Sequence, residues 1–157
     1  MSLEMKDLLA TFAQPGTVQW IGLRPERRAQ ILEVGEVLAD PQFGLEGDRF
    51  SGKPEAKRQV TLIQHEHLAV MAQLLGREAI DPAQLRRNIV VSGINLQALK
   101  QRNFKIGDAV LYGTGNCAPC SRMEEALGTG GYNVMRCLLY TSPSPRDATL
   151  SRMPSSA

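Results

Sequence analysis

The sequence predicts a mainly β domain with inserted helices, arranged as a β-barrel-like fold. Short apolar and β-branched runs recur along the chain, and most of them end near a glycine or a proline. Helical spacing of apolar residues is confined to a few segments, as expected when helices are inserted between strands. A chain of 157 residues is also long enough to bury one hydrophobic core.

The first part of the chain opens with a helix signal and continues with strand signals. Residues 4–12 have amphipathic helical spacing, which Pro15 and Gly16 bring to an end. Residues 17–23 and 31–39 are apolar and β-branched, which predicts two strands. A loop with two internal charges and a terminal arginine, residues 44–49, follows them.

The second part begins with a β-branched strand, residues 58–63, that leads into a helix over residues 66–75. Asp81 before Pro82 is typical of a helix cap followed by proline at the first helical position. Further predicted elements are an apolar strand at 89–91, a turn at 96–99, a glycine-containing segment at 104–108 and a strand at 109–112.

Composition excludes several classes of function. The formal net charge is only +2, so no basic surface for nucleic acid is expected. No apolar run reaches membrane-spanning length, and the N-terminus lacks the apolar centre of a signal peptide. The low cysteine count suits a reducing cytoplasm, which is the location we expect.

The end of the chain, residues 137–157, resembles a translated sequencing adapter. Residues 137–142 fit the codons TGT CTC TTA TAC ACA TCT, and residues 143–147 fit CCG AGC CCA CGA GAC. A Ser/Pro-rich disordered tail is the alternative that its composition allows. We therefore expect one domain over residues 1–136, truncated at its C-terminus, and a non-native, disordered tail over residues 137–157.

The strongest chemical signal is a pair of cysteines, Cys117 and Cys120, separated by Ala118 and Pro119. This spacing on a proline-stiffened turn is typical of redox or metal chemistry, because thiolates are soft ligands. Two buried small hydrophobic residues are the structural alternative. A zinc site is disfavoured, because it needs further ligands and the chain has only two histidines.

Six segments together resemble the MOSC family, which is named after the C-terminal domain of molybdenum-cofactor sulfurase. They are WIGLRP (20–25), GLEGDR (44–49), RQVTLI (58–63), LRRNIVVSGINL (85–96), FKIGD (104–108) and GNCAPCSRME (115–124). The likeness is to the compact, stand-alone bacterial branch. It implies a β-barrel-like domain surrounded by helices, here ending before its last strands, and it implies handling of the molybdenum cofactor.

The resemblance also implies site residues. Cys120 is the expected metal ligand and catalytic residue, with Cys117 beside it as a cofactor-binding residue. Arginine suits bidentate contact with the cofactor's phosphate, and the family pattern favours Arg87 and Asn88 for this role. Arg49 and Arg58 are further cofactor-binding candidates, although a structural salt bridge or a solvated surface position explains each of them as well.

The predicted function is a molybdenum-dependent oxidoreductase that reduces N-hydroxylated or N-oxide compounds. It would use a small-molecule substrate and an external electron donor protein, because no flavin or nicotinamide motif is present. The alternatives are a non-catalytic carrier of the molybdenum cofactor or its sulfur, and a Cys-x-x-Cys thiol–disulfide module. Pyridoxal phosphate, which is associated with the wider family, is not expected in this chain, and neither is a nucleic-acid or membrane partner.

Overall fold

The computed structural model describes residues 3–49 and 57–136 in full, and the backbone of residues 141–145 and 151–152. The strands within these residues are β1 Thr17–Leu23, β2 Leu32–Glu33, β3 Leu38–Asp40, β4 Gly44–Leu45, β5 Leu62–Gln64, β6 Ile89–Ser92, β7 Asn103–Ile106, β8 Ala109–Asn116, β9 Thr141–Pro145 and β10 Ser151–Arg152. The helices are α1 Met5–Ala10, α2 His65–Leu74, α3 Arg122–Leu127 and α4 Gly131–Arg136, with 3₁₀ helices at Pro82–Leu85 and Leu96–Leu99.

The predicted strand at 17–23 and the predicted helix at 66–75 are confirmed as β1 and α2. Leu68 and Met71, spaced for one helical face, are buried, whereas Leu74 is exposed. The predicted strand at 31–39 is wrong as a single element, because the chain bends at Gly35 and forms β2 and β3 instead. Periodicity therefore located the longer elements better than it located the short ones.

The strands form three sheets, ordered β2-β1-β6-β5, β10-β3-β4 and β7-β8-β9. β1 pairs antiparallel with β6, and β5 pairs parallel with β6 through the crossover helix α2. The mixed sheets with packed helices agree with the predicted fold class. The predicted barrel closure is not observed among the described strands, which remain in separate sheets.

The central strands are apolar on both faces, and each face contributes to a different core. Ile89 and Leu62 belong to the cluster between the sheets, whereas Val90 and Ile63 belong to the cluster under the helices. Alternation along a strand sends neighbouring side chains to opposite faces, so this sheet is covered on both sides. Cys117 lies in the cluster under the helices.

Part of the predicted non-native tail adopts strand backbone. Thr141–Pro145 pairs antiparallel with β8, and Ser151–Arg152 pairs antiparallel with β3. Residues 137–140, 146–150 and 153–157 lie outside the described residues. The non-native origin of residues 137–157 stays a prediction. In the described part of the chain, no helix is long and apolar enough to cross a membrane.

Candidate functional site

The two cysteines lie on the connection between β8 and α3, and the structure separates them by burial. Cys117 follows the last residue of β8 and is 4% exposed, whereas Cys120 is exposed to solvent, and both thiols are free. The carbonyl oxygen of Cys120 accepts a hydrogen bond of 2.9 Å from the backbone N–H of Met123, which is itself buried. The loop is thus attached to the core on one side and presents a single thiol to solvent on the other.

Three hydrogen bonds, two to the Glu124 side chain and one from Arg77, hold the helices that follow the cysteine loop. Glu124 accepts hydrogen bonds from the backbone N–H groups of Gly130 (2.7 Å) and Tyr132 (3.0 Å), which hold the start of α4. These bonds lower the pKa of the Glu124 carboxyl, because they stabilise its charged form. Arg77 donates from Nη2 to the carbonyl of Leu127 at the end of α3.

Arg87 supports the cysteine loop from the interior. Its side chain is 6% exposed, and Nη2 donates to the carbonyl oxygen of Cys117 at 3.1 Å. The family resemblance favoured Arg87 for the cofactor's phosphate, which stays a prediction, and in the structure its guanidinium contacts the carbonyl of Cys117. Arg87 and Cys117 are therefore together, as the predicted site requires, in an arrangement that orients the loop.

Asn88, which directly precedes β6, connects β1 with the residue before β5 through its side-chain amide. Its Oδ1 accepts from the backbone N–H of Thr61 (3.1 Å) and from the Thr61 hydroxyl (3.0 Å), while Nδ2 donates to the carbonyl of Gly22 (3.2 Å). These contacts connect β6 to β1 and to the residue before β5. Each of them is to protein, so the structure uses Asn88 to organise the sheet beside the site.

The side chain that reaches the exposed thiol belongs to Arg86. Its Nη1 lies 3.3 Å from Cys120 Sγ, with the geometry of a hydrogen bond. Arg86 directly follows the 3₁₀ helix Pro82–Leu85 and has left-handed backbone angles, φ 54° and ψ 38°. That conformation is rare for residues other than glycine.

Arg86 also lines a cavity of about 360 Å³ beside the cysteine loop, a volume within the range of small-molecule sites. The other lining residues are mainly arginines and small or polar residues: Arg24, Arg28, Ala29, Gln84, Arg122, Glu125 and Ala126. Three separate parts of the chain contribute to this cavity, which we call the arginine cavity.

The arginine cavity holds concentrated positive charge. Burial, and next the nearby charge of Arg86, lower the pKa of Arg24, while Asp48 raises it. Within residues 3–49 and 57–136 the ion pair found at contact distance is Lys6–Glu4, so none of the cavity arginines is paired with a carboxylate in that part of the chain. An anion bound here would relieve this mutual repulsion.

The remaining two candidates, Arg49 and Arg58, differ in how they relate to the arginine cavity. Arg49 is exposed, but its backbone N–H donates to the carbonyl of Arg24 at 2.8 Å, so it adjoins the arginine cavity. Its charge is among those that lower the Arg24 pKa. Arg58 is exposed next to the buried Gln59 and is not one of the residues that line the arginine cavity.

Sequence reasoning missed most residues of the arginine cavity. Arg24, Arg86 and Arg122 all lie inside segments that carried the family resemblance, and this was the available signal. Arg28 gave no such signal, although it too has a left-handed backbone, with φ 62°. Among the described residues, no group of three or more His, Cys, Asp or Glu side chains could hold a metal ion. The site is thus one thiol beside a cationic cavity.

Comparison with known proteins identifies the family. The MOSC domain model matches residues 46–153. The fold resembles that of YuaD from Bacillus subtilis, with a TM-score of 0.69, 17% identity and coverage of 89% of this chain and 91% of that one. It also resembles YiiM from Geobacillus stearothermophilus, with a TM-score of 0.69, 12% identity and coverage of 89% and 71%.

YiiM from Escherichia coli is a further similar structure, with a TM-score of 0.58, 18% identity and coverage of 89% of this chain and 70% of that one. Identities this low establish a shared fold alone. No curated protein matches the chain. Since the family model spans more than half of the sequence and the similar structures share its fold, this chain belongs to the MOSC domain family.

Proposed function

We propose that this protein binds the molybdenum cofactor, with Cys120 as the metal ligand and the arginine cavity as the site of the cofactor's anionic group. The observation that supports this most directly is the contact between Arg86 and Cys120, because Arg86 also lines the cavity. One residue thus connects a soft ligand for a metal with a site for an anion. The MOSC family is associated with this cofactor.

The residues present suit the chemistry of the cofactor. The exposed sulfur of Cys120 can serve as a soft metal ligand, while the guanidinium groups of Arg24, Arg28 and Arg122 offer planar forks to a phosphate or diphosphate. Arg49 adds positive charge from the edge of the cavity. In this proposal Arg87 and Asn88 act by holding the loop and the sheet in place, and Arg58 contributes at most at long range.

When bound, the cofactor would supply a two-electron reduction of an N-hydroxylated or N-oxide substrate, with electrons from an external donor protein. The chain's own residues position the site. Arg86 donates to the Cys120 sulfur and holds it beside the arginine cavity, while Arg87 fixes the Cys117 carbonyl and hence the loop. Two free thiols are consistent with the cytoplasmic location that forms part of this proposal.

A carrier of the cofactor is the second candidate, and the exposure of Cys120 favours it. An exposed ligand can pass its metal to another protein without a large rearrangement of the fold. The burial of Cys117 argues against the third alternative, a thiol–disulfide module, because a buried thiol packed in the core is poorly placed for exchange. Metal content tests the shared part of the first two candidates, and turnover separates them.

The deciding experiment measures molybdenum and pterin per chain after purification from cells that make the cofactor. The original protein is compared with Cys120→Ser and with Cys117→Ser as the matched control. We expect the original chain to hold both components, Cys120→Ser to lose the molybdenum, and Cys117→Ser to keep part of it. Absence of both components from the original chain would overturn the proposal. Reduction of an N-hydroxylated base by the loaded protein, given a reductant, would distinguish an enzyme from a carrier.

A further inference from the structure

Glu125 lines a cavity that is otherwise dominated by arginines. It lies on α3 three residues after Arg122, a spacing that places both side chains on the same side of the helix. Within the described ranges 3–49 and 57–136, no hydrogen bond or ion pair of the Glu125 carboxylate is found. Its exposed carboxylate is thus available to a ligand in the cavity.

A carboxylate at this place weakens phosphate binding, because its charge opposes that of the arginines. Acidic residues favour the first turn of a helix, and Glu124 and Glu125 both lie in the first turn of α3, but only Glu124 uses its carboxylate to hold α4 among the described contacts. A helix-stabilising role therefore explains why α3 begins with acidic residues. It does not explain why Glu125 lines the arginine cavity. A ligand that carries hydrogen-bond donors as well as an anionic group would explain why arginines and a carboxylate line the same cavity.

We propose that Glu125 recognises the donor edge of a pterin ring, while the arginines hold the anionic group of the same molecule. This inference rests on the proposed function and names the group that Glu125 selects. A pterin presents an N–H and an exocyclic NH₂ side by side, and the two oxygens of a carboxylate can accept both hydrogen bonds together. A cavity of about 360 Å³ is large enough for a small heterocyclic ligand.

The test uses two matched probes, 6-hydroxymethylpterin phosphate and 6-hydroxymethyllumazine phosphate. The lumazine has a carbonyl oxygen where the pterin has its NH₂ group, so beside the ring N–H at this edge an acceptor replaces a donor. Binding to the full chain is measured by probe fluorescence, with inorganic phosphate as competitor. We expect the original chain to prefer the pterin by roughly tenfold, which corresponds to about one hydrogen bond.

Glu125→Gln should reverse this preference, because a glutamine side chain offers one acceptor and one donor, the pair that suits the lumazine edge. It should also strengthen binding of inorganic phosphate, because a negative charge is removed from the cavity. Glu124→Gln is the matched control: it changes the neighbouring carboxylate, which contacts the start of α4, and should keep the original preference for the pterin.

The outcomes separate this inference from the proposed function. If inorganic phosphate displaces both probes but the original chain binds them equally, or Glu125→Gln leaves their ratio unchanged, the role of Glu125 is overturned and the arginine cavity stands. If the original chain binds neither probe and no phosphate, the anion site fails, and the role of Glu125 fails with it.

Discussion

Arg86 donates from Nη1 to the sulfur of Cys120 across 3.3 Å, although the two residues are 34 positions apart in the sequence. The contact joins the end of a 3₁₀ helix to the loop before α3. It depends on the left-handed backbone of Arg86, since a right-handed residue there would direct its side chain elsewhere. Arg86 thus adopts a backbone conformation that is unfavourable for arginine, and this conformation accompanies the contact of its guanidinium with Cys120.

Removing such strain should raise stability and lower anion binding. Arg28 also has a left-handed backbone and lines the arginine cavity. Arg28→Gly should increase the free energy of unfolding by roughly 0.5–1 kcal/mol, because glycine adopts positive φ without the Cβ penalty but costs more entropy on folding. Phosphate affinity should fall roughly tenfold, as expected when a charged hydrogen-bond donor is lost. Chemical denaturation and phosphate titration measure the two effects.

Gln101→Gly is the control for this substitution. Gln101 has φ 58° and is not among the residues that line the arginine cavity. The variant should gain similar stability and keep its phosphate affinity. Equal loss of phosphate binding in both variants would show that Arg28 makes no particular contribution to the anion site.

The two cysteines should respond to substitution in opposite ways. Cys117→Ser places a hydroxyl in the core and should cost about 1–3 kcal/mol of unfolding free energy, whereas Cys120→Ser at the surface should change it by less than about 0.5 kcal/mol. Molybdenum content should show the reverse order, with the greater loss in Cys120→Ser. Denaturation and metal analysis on the same preparations check both orders. Equal metal loss in the two variants would contradict the assignment of Cys120 as the ligand.

The amide of Asn88 should matter for stability more than for ligand contact. Asn88→Ala removes the partner of Thr61 and of the Gly22 carbonyl, and should cost about 1–3 kcal/mol, because part-buried backbone groups are left without their hydrogen bonds. Thr61→Val removes one hydroxyl and should cost about 1 kcal/mol. The double variant should lose less than the sum of the two, measured by urea denaturation. Simple additivity would mean that the two side chains are not coupled.

Acid should loosen the start of α4. Backbone hydrogen bonds from Tyr132 and Gly130 lower the pKa of Glu124 below its ordinary value, so its contribution to stability is present above that ordinary value. The contribution is lost as the pH falls through the lower pKa of the folded state. The protection of the Gly130 and Tyr132 amides, measured against the intrinsic exchange rate at each pH, should fall over this acidic range in the original chain. In Glu124→Gln this protection should already be low at neutral pH and should change less with acid. Unchanged protection in this variant would contradict the role of Glu124 in holding the start of α4.

Local sequence patterns correctly predicted the longer elements, whose buried residues recur at the regular spacing of a strand or a helix. The β-branched run at 17–23 became β1, and the spacing of Leu68 and Met71 predicted the buried face of α2. The short helices α3 and α4 were not predicted. Each has six residues, too few to be stable alone, and they depend on the distant Arg77 and on Glu124.

The family resemblance predicted which segments of the chain form the site, but it did not predict which arginine side chain contacts Cys120. The family resemblance implied that the cysteines and Arg87 share one site, and in the structure Arg86 and Arg87 both contact the cysteine loop. The family pattern favoured Arg87 and Asn88, whereas the side chain that reaches Cys120 belongs to Arg86, whose helix-end conformation has no signature in the sequence. The contribution of Arg28 depends on a turn whose left-handed φ has no signature in the sequence.

The pairing of β1 with β6 determines when this protein can become functional. Thr17 is aligned with Ser92, so the first long strand must wait for a partner made much later in synthesis. The arginine cavity draws on segments near residues 24, 86 and 122, and therefore does not exist in the unfolded chain. An anion that binds it favours the folded state by mass action, so phosphate-bearing ligands in the cell would shift the folding equilibrium of the newly made protein.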